Sequence, residues 1–152
     1  MSARTFDAAI AGGGFAGMVT AAALARAGLD VVVVEPRSSA EPRGLRGELL
    51  HPLACRALED LGFAEALSAA GAVDVSGFVA YADANPSPFL LDYGARGGLA
   101  LEHGALVGAL RQVLEPRARA GFIADKAVDV VREGERVVGL RLASGETVSS
   151  RL

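Results

Sequence analysis

The sequence predicts an α/β fold with a parallel sheet, followed by a three-stranded antiparallel meander. Three observations carry this. Residues 6–34 run strand, glycine turn, helix, strand; residues 52–120 hold helical spacings with one alternating stretch between them; and residues 127–150 fall into three strand-like segments parted by glycines. Strands joined through a helix must lie parallel, whereas strands joined by tight turns pair antiparallel.

Taken in order, Phe6–Ala11 is a short apolar run ending at Gly12, as a buried strand that stops in a tight turn would be. Phe15–Ala27 is rich in Ala, Leu and Met and is followed by Gly28, a helix with its stop signal. Val31–Val34 reads as a strand buried on both faces. Residues 36–47 are polar and carry Pro42 and Gly44, so they are expected as a loop. Pro52–Leu61 has Leu53, Leu58 and Leu61 at helical spacing behind a first-turn proline, and Ala64–Ala70 makes a second short helix after Gly62. Val75–Tyr81 alternates as a strand does, Asn85-Pro86-Ser87-Pro88 is expected as a turn, and Phe89–Tyr93 returns beside the strand. Leu106, Leu110, Val113 and Leu114 mark a helix over 104–120, stopped at Gly121. Ala127–Val131, Arg136–Leu142 and Glu146–Ser150 form the meander, turned at Glu133–Glu135 and Ser144–Glu146. The chain stops at Leu152 straight after the last of these, and this uncapped end is expected to leave an apolar sheet edge exposed.

Composition narrows the function. With 152 residues, 51% hydrophobic and 22% charged, the chain is long enough for one domain with a real core. A net charge of −3 gives no electrostatic reason to expect nucleic acid. No window of 18 apolar residues marks a transmembrane segment, and a single cysteine, Cys55, favours a reducing compartment. The expectation is a soluble, cytoplasmic protein. His51 has no His or Cys partner at ligand spacing, so no metal site is expected, and Cys55 reads as a small buried hydrophobe.

Gly12, Gly14 and Gly17 stand in a G-x-G-x-x-G turn between strand and helix. The first glycine permits the sharp exit from the strand, the second lets a pyrophosphate approach the backbone, and the third lets helix and strand pack closely. The helix then opens at Phe15 and Ala16 with free N–H groups and a partial positive charge, suited to that pyrophosphate. Glu35 ends the second strand, where a carboxylate accepts both hydroxyl protons of an adenosine ribose and repels a 2′-phosphate. Together these residues predict a dinucleotide site, with FAD and NAD both open.

The stretch EPRGLRGELLHPLACRALEDLGF, Glu41–Phe63, resembles the flavoprotein monooxygenase superfamily, which includes aromatic-ring hydroxylases and squalene epoxidases. GELLHP, Gly47–Pro52, is similar to the squalene epoxidase stretch at this place. LEHGALVGALRQVLE, Leu101–Glu115, shares its His-Gly step and its Leu-Arg pair, and SGFVAYAD, Ser76–Asp83, resembles the strand between. One position departs: after His-Gly this chain has Ala105, where squalene epoxidases carry an arginine.

The resemblance implies FAD as cofactor and NAD(P)H as reductant of the complete enzyme. Among Arg37, Arg43 and Arg46 it implies a loop arginine that neutralises the pyrophosphate or braces the flavin side, a solvated surface arginine being the alternative for each. It places His103 toward the cofactor or as a cap, and Ala127 and Val128 where backbone meets adenine. Glu48 reads as an acid at a helix N-terminus. No catalytic nucleophile–base pair stands out, as expected where the flavin carries the chemistry.

Members of the superfamily run on past this point into a substrate domain and a second FAD motif. Residues 1–152 are therefore expected to be the N-terminal portion of the FAD-binding domain, with those parts absent. The implied activity is hydroxylation or epoxidation of an aromatic or apolar small molecule, with a missing C-terminal half or a complementing chain. The alternatives are a small FAD- or NAD-binding Rossmann module without catalysis, and part of a halogenase or prenyl reductase.

Overall fold

The computed structural model describes residues 5–36, 46–82 and 85–152. The chain runs β1 (Thr5–Phe6), β2 (Ala8–Ala11), α1 (Phe15–Arg26), β3 (Val31–Val34), β4 (Gly47–Leu50), α2 (Pro52–Asp60), α3 (Ala64–Ala69), β5 (Val73–Val75), β6 (Gly77–Ala82) and β7 (Asn85–Asp92). A 3₁₀ turn at Gly94–Arg96 leads into β8 (Gly98–Glu102), α4 (His103–Leu114), β9 (Ala120–Ile123), β10 (Ala127–Glu133), β11 (Arg136–Leu142) and β12 (Thr147–Ser150). Two compact units result, residues 1–42 with 107–152 and residues 43–106.

The first unit is built on β3. Its four valines are at most 1% exposed, and full burial of each side chain contributes about 1.5–3 kcal/mol. β3 lies at the centre of a parallel sheet ordered β2–β3–β9, Ala8 to Ala11 pairing with Val31 to Val34 and these with Ala120 to Ile123. α1 packs on this sheet and buries Met18, Ala21 and Ala22. On the other face Val32 and Val34 form one core with Leu140, Leu142 and Val148 of the meander. Alternation along a strand sends Val31 and Val33 the opposite way, so one run of valines serves two interfaces.

α1 ends as Gly28 foretells. Gly28 takes φ +90°, its N–H donates to the Ala25 carbonyl and the Leu29 N–H to that of Leu24, which satisfies the last carbonyls of the helix. The expected strand over 6–11 is two strands that part at Asp7. β1 joins β12 while β2 joins β3. Asp7 fixes the switch: its carboxylate accepts from the Asp30 N–H at 2.9 Å and pairs with Arg151 at 2.9 Å.

That switch overturns the expectation of a bare edge after the meander. The order of the four-stranded sheet is β1–β12–β11–β10, with Thr5 and Phe6 parallel to Ser149 and Ser150. The Ala9 N–H also donates to the Leu152 carbonyl. β12 is an inner strand, because the N-terminal segment lies along it. The helix expected over 104–120 stops at Leu114, and Gly121 is not its stop signal but the second residue of β9. Gly121 lies opposite Val32, and a Cβ there would stand in ordinary contact with the Phe6 ring at 3.6 Å.

In the second unit β4 and β5 flank β8 in an antiparallel sheet, and α2 packs on β4 and β8. Leu50, Cys55, Leu58, Phe63, Leu67 and Leu101 are buried. Leu53, placed on the apolar face of α2 by its spacing, is 80% exposed. The buried partner of Leu58 is Cys55, three residues before it, so the inward stripe runs through the cysteine. β4 falls within the sequence expected to be loop at Gly47 and unassigned thereafter.

β6 and β7 pair as a two-stranded ribbon, and the Asn85–Pro88 turn expected from sequence is strand instead. The ladder is irregular between the Ala80–Phe89 and Ala82–Asn85 pairs, and Pro86 and Pro88 fall within that break, where a strand tolerates proline. No helix among the described residues is long and apolar enough to cross a membrane.

Candidate functional site

In the first unit the strand-to-helix turn is tied to the end of the next strand. Gly12 takes φ +104°, a conformation that L side chains rarely adopt, and its N–H donates to the Val34 carbonyl at 2.8 Å. The Gly13 N–H donates to Glu35 Oε2 at 2.8 Å, and Glu35 is only 5% exposed. A Cβ on Gly13 would stand 2.9 Å from that of Glu35, so carboxylate and turn fit together only if residue 13 is glycine. Gly13 was not singled out from sequence, although it is the middle of three consecutive glycines.

The remaining glycines divide by cause. A Cβ on Gly17 would run into the Gly12 carbonyl oxygen, so the fold itself demands this glycine where helix meets strand. Gly14 is different. It caps α1 with an ordinary φ of −77°, and a Cβ there would meet nothing within 4 Å. Among the described residues nothing would collide with a side chain at 14, and the space it would fill is open.

Beside that space, α1 begins at half-buried Phe15 and exposed Ala16 with no side-chain cap and no acid in its first turn. Uncapped N–H groups and a helix N-terminus suit a diphosphate, and the buried Glu35 carboxylate beside the turn suits ribose hydroxyls. These residues fit a dinucleotide.

Val128 lies on β10 at a β-bulge: Ala127 pairs with Leu142 and Asp129 with Arg141, and Val128 is the extra residue between them. The residue is 52% exposed. A bulge leaves the backbone of its extra residue out of the ladder.

In the second unit Arg46 and His103 meet. The His103 N–H donates to the Arg46 carbonyl at 2.7 Å, and the Arg46 guanidinium lies 3.4 Å from His103 Nε2. Nδ1 of the same ring is 2.6 Å from Glu48 Oε1. Glu48 therefore sits on β4 as the partner of His103 and is not the helix-terminal acid expected from sequence. That role belongs to Glu102, whose Oε2 accepts from the Ala105 N–H at 2.8 Å at the start of α4. Hydrogen bonds from the Gly104 and Ala105 backbone hold its carboxyl below the ordinary glutamate range. Arg37 and Arg43 lie outside the described residues.

Comparison with known proteins shows the family. Residues 5–146 match the model of a family described as FAD binding domain. The chain is 32% identical to the squalene epoxidase of Schizosaccharomyces pombe, over 98% of this chain and 34% of that protein. It is 28% identical to mouse (Mus musculus) squalene monooxygenase, over 91% of this chain and 25% of the other. Among solved structures, PqsL, a probable FAD-dependent monooxygenase from Pseudomonas aeruginosa, superposes with a TM-score of 0.76 at 24% identity, over 98% of this chain and 41% of that one. This chain thus spans about a third or less of these curated relatives, and with residues 5–146 matched it belongs to the FAD binding domain family, with FAD as its cofactor.

Proposed function

We infer that this chain is the N-terminal, FAD-binding portion of a flavin-dependent monooxygenase. In this reading NAD(P)H reduces the flavin of the whole protein, and the substrate is an apolar or aromatic small molecule that is hydroxylated or epoxidised. The squalene epoxidase and squalene monooxygenase relatives support the substrate class. Since the chain covers 34% of the fission-yeast relative, the substrate domain and second FAD motif are assigned to sequence outside these residues, in the same polypeptide or in a complementing chain. A cytoplasmic location belongs to the same reading and is supported by the single, buried Cys55.

Bound FAD supplies the redox chemistry. The turn residues Gly12, Gly14 and Gly17, with Phe15 and Ala16 at the helix start, are assigned to its diphosphate, Glu35 to its ribose and Val128 to its adenine. In the second unit Arg46 and His103 are assigned to the cofactor, and Arg37 and Arg43 remain candidates from the sequence. One observation carries the reading: at Gly14 the start of α1, which no side chain caps, faces space left open by the described residues.

The test is the visible spectrum of the purified chain after incubation with FAD and removal of the free cofactor. Retained flavin that is lost in Gly14→Val and in Glu35→Ala, with circular dichroism unchanged, is the expected result. A folded but colourless wild-type chain overturns it, and titration with NADH then tests the module without catalysis.

A further inference from the structure

We propose that Glu48 is a positioning residue that aims the Arg46 guanidinium at the cofactor by setting the tautomer of His103. This rests on the reading of Arg46 as a cofactor-side residue. The observation is a chain of three side chains within the second unit. Glu48 Oε1 lies 2.6 Å from His103 Nδ1, and His103 Nε2 lies 3.4 Å from the Arg46 guanidinium.

The hydrogen-bond chemistry leaves one arrangement. A guanidinium has donors and no acceptor, so Nε2 must accept, and a carboxylate accepts, so Nδ1 must carry the proton. His103 is then a neutral ring with Nδ1–H given to Glu48 and the Nε2 lone pair turned to Arg46. With the other tautomer Nε2–H would point at the N–H groups of Arg46, and the guanidinium would have to leave.

The histidine at the centre of the relay is mostly buried, Glu48 is partly buried and Arg46 is exposed. The His103 side chain is 11% exposed and that of Glu48 35%. The His103 N–H to Arg46 carbonyl bond at 2.7 Å holds the backbone of residue 46 against the same histidine. Among the described residues Arg46 has no other side-chain partner, and it is exposed, so a ligand can reach its other N–H donors. A histidine fixed by a carboxylate on one nitrogen so that the other faces a functional group is a recurrent way to orient a site.

Two measurements test this. The chain has two histidines, His51 and His103, so ¹⁵N shifts of the imidazole nitrogens are assigned by comparison with His51→Asn. The relay requires Nδ1–H on His103 in the wild type and a shift toward Nε2–H in Glu48→Ala; an Nε2–H ring in the wild type overturns it. FAD affinity by quenching of flavin fluorescence is then compared in wild type, Glu48→Ala, Arg46→Ala and the double variant, with melting curves to confirm folding. Glu48→Ala should weaken FAD roughly tenfold in the wild-type background and have no effect once Arg46 is alanine, the pattern of coupled neighbours. Glu48→Gln, which keeps an acceptor, should recover part of the loss. Independent, additive effects of the two variants overturn the relay alone. An Arg46→Ala chain that binds FAD as the wild type does, or a wild type that binds none, overturns the reading beneath it.

Discussion

Gly13 and Glu35 hold each other in place. The Gly13 N–H is bonded to the carboxylate at 2.8 Å, and a methyl group on residue 13 would press on the Cβ and Cγ of Glu35 at 2.9 and 3.1 Å. The glycine turn is thus locked to the C-terminal end of β3, and the acid reaches its position through the turn it serves.

Alanine substitutions along the turn should therefore separate folding from binding. Gly17→Ala meets the fixed Gly12 carbonyl and should cost roughly 1–3 kcal/mol or more, as overpacking does. Gly13→Ala should destabilise less, because the Met18 methyl at 3.2 Å can move, yet it displaces Glu35 and should weaken FAD. Gly14→Ala should change stability by about 1 kcal/mol at most, a small loss at the cap being set against a less flexible unfolded chain. Its effect should appear in FAD affinity. Thermal melts with and without FAD for the three variants check this order, and a large loss of stability for Gly14→Ala would contradict the assignment of its open space to the cofactor.

Leu53 and Leu58 occupy neighbouring turns of α2 and have opposite surroundings. Leu58 is 1% exposed, and Leu58→Ala should cost about 2–5 kcal/mol through lost burial and the cavity left behind. Leu53 is 80% exposed, and Leu53→Ala should fall within about 0.5 kcal/mol of the wild type. Urea unfolding midpoints of the two variants decide the matter.

The same pair shows where sequence reading ends. Leucine spacing finds a helix but does not tell which leucine faces inward when a cysteine shares the stripe. β2, α1 and β3 are legible because glycines, a helix-forming run and four valines each state a local preference that agrees with the final fold. β4 and β9 are four residues each, GELL and AGFI, and their strand state comes from pairing with β8 and β3, far along the chain. β7 carries two prolines that look like a turn, and they fall where its ladder with β6 is irregular. At the candidate site Gly12, Gly14, Gly17 and Glu35 were readable by spacing. The Glu48–His103 bond was not, because it joins residues 55 apart that no local pattern connects.

Cys55 should be chemically quiet in the folded chain. Burial is the main cause that raises its thiol above the ordinary cysteine range, which keeps it in the unreactive thiol form at neutral pH. Its Sγ also lies 3.5 Å from the Leu50 carbonyl, in a region where only 8% of the residue is exposed. A colorimetric thiol reagent should react slowly with the native protein and at once after denaturation. Rapid labelling of the folded chain would show that α2 opens readily from the sheet.

Asp125 should set an acid limb of stability in the first unit. It stands between β9 and β10 and reaches across to the β11–β12 turn. Oδ1 accepts from the Lys126 N–H at 2.6 Å and Oδ2 from the Ser144 N–H at 3.2 Å. The Ser144 side chain, then the Lys126 N–H, hold its carboxyl below the usual 3.8. The folded state thus favours the ionised form more than the unfolded chain does. This stabilisation is complete above the unfolded value, and falls away as pH drops through the lower, folded one. Asp125→Asn should lower the melting temperature at neutral pH, and the difference from wild type should shrink as the solution is acidified, because the wild-type carboxyl is then protonated as well. Melting curves over that range check the sign: a difference that widens on acidification would mean that Asp125 does not brace the turn through its charge.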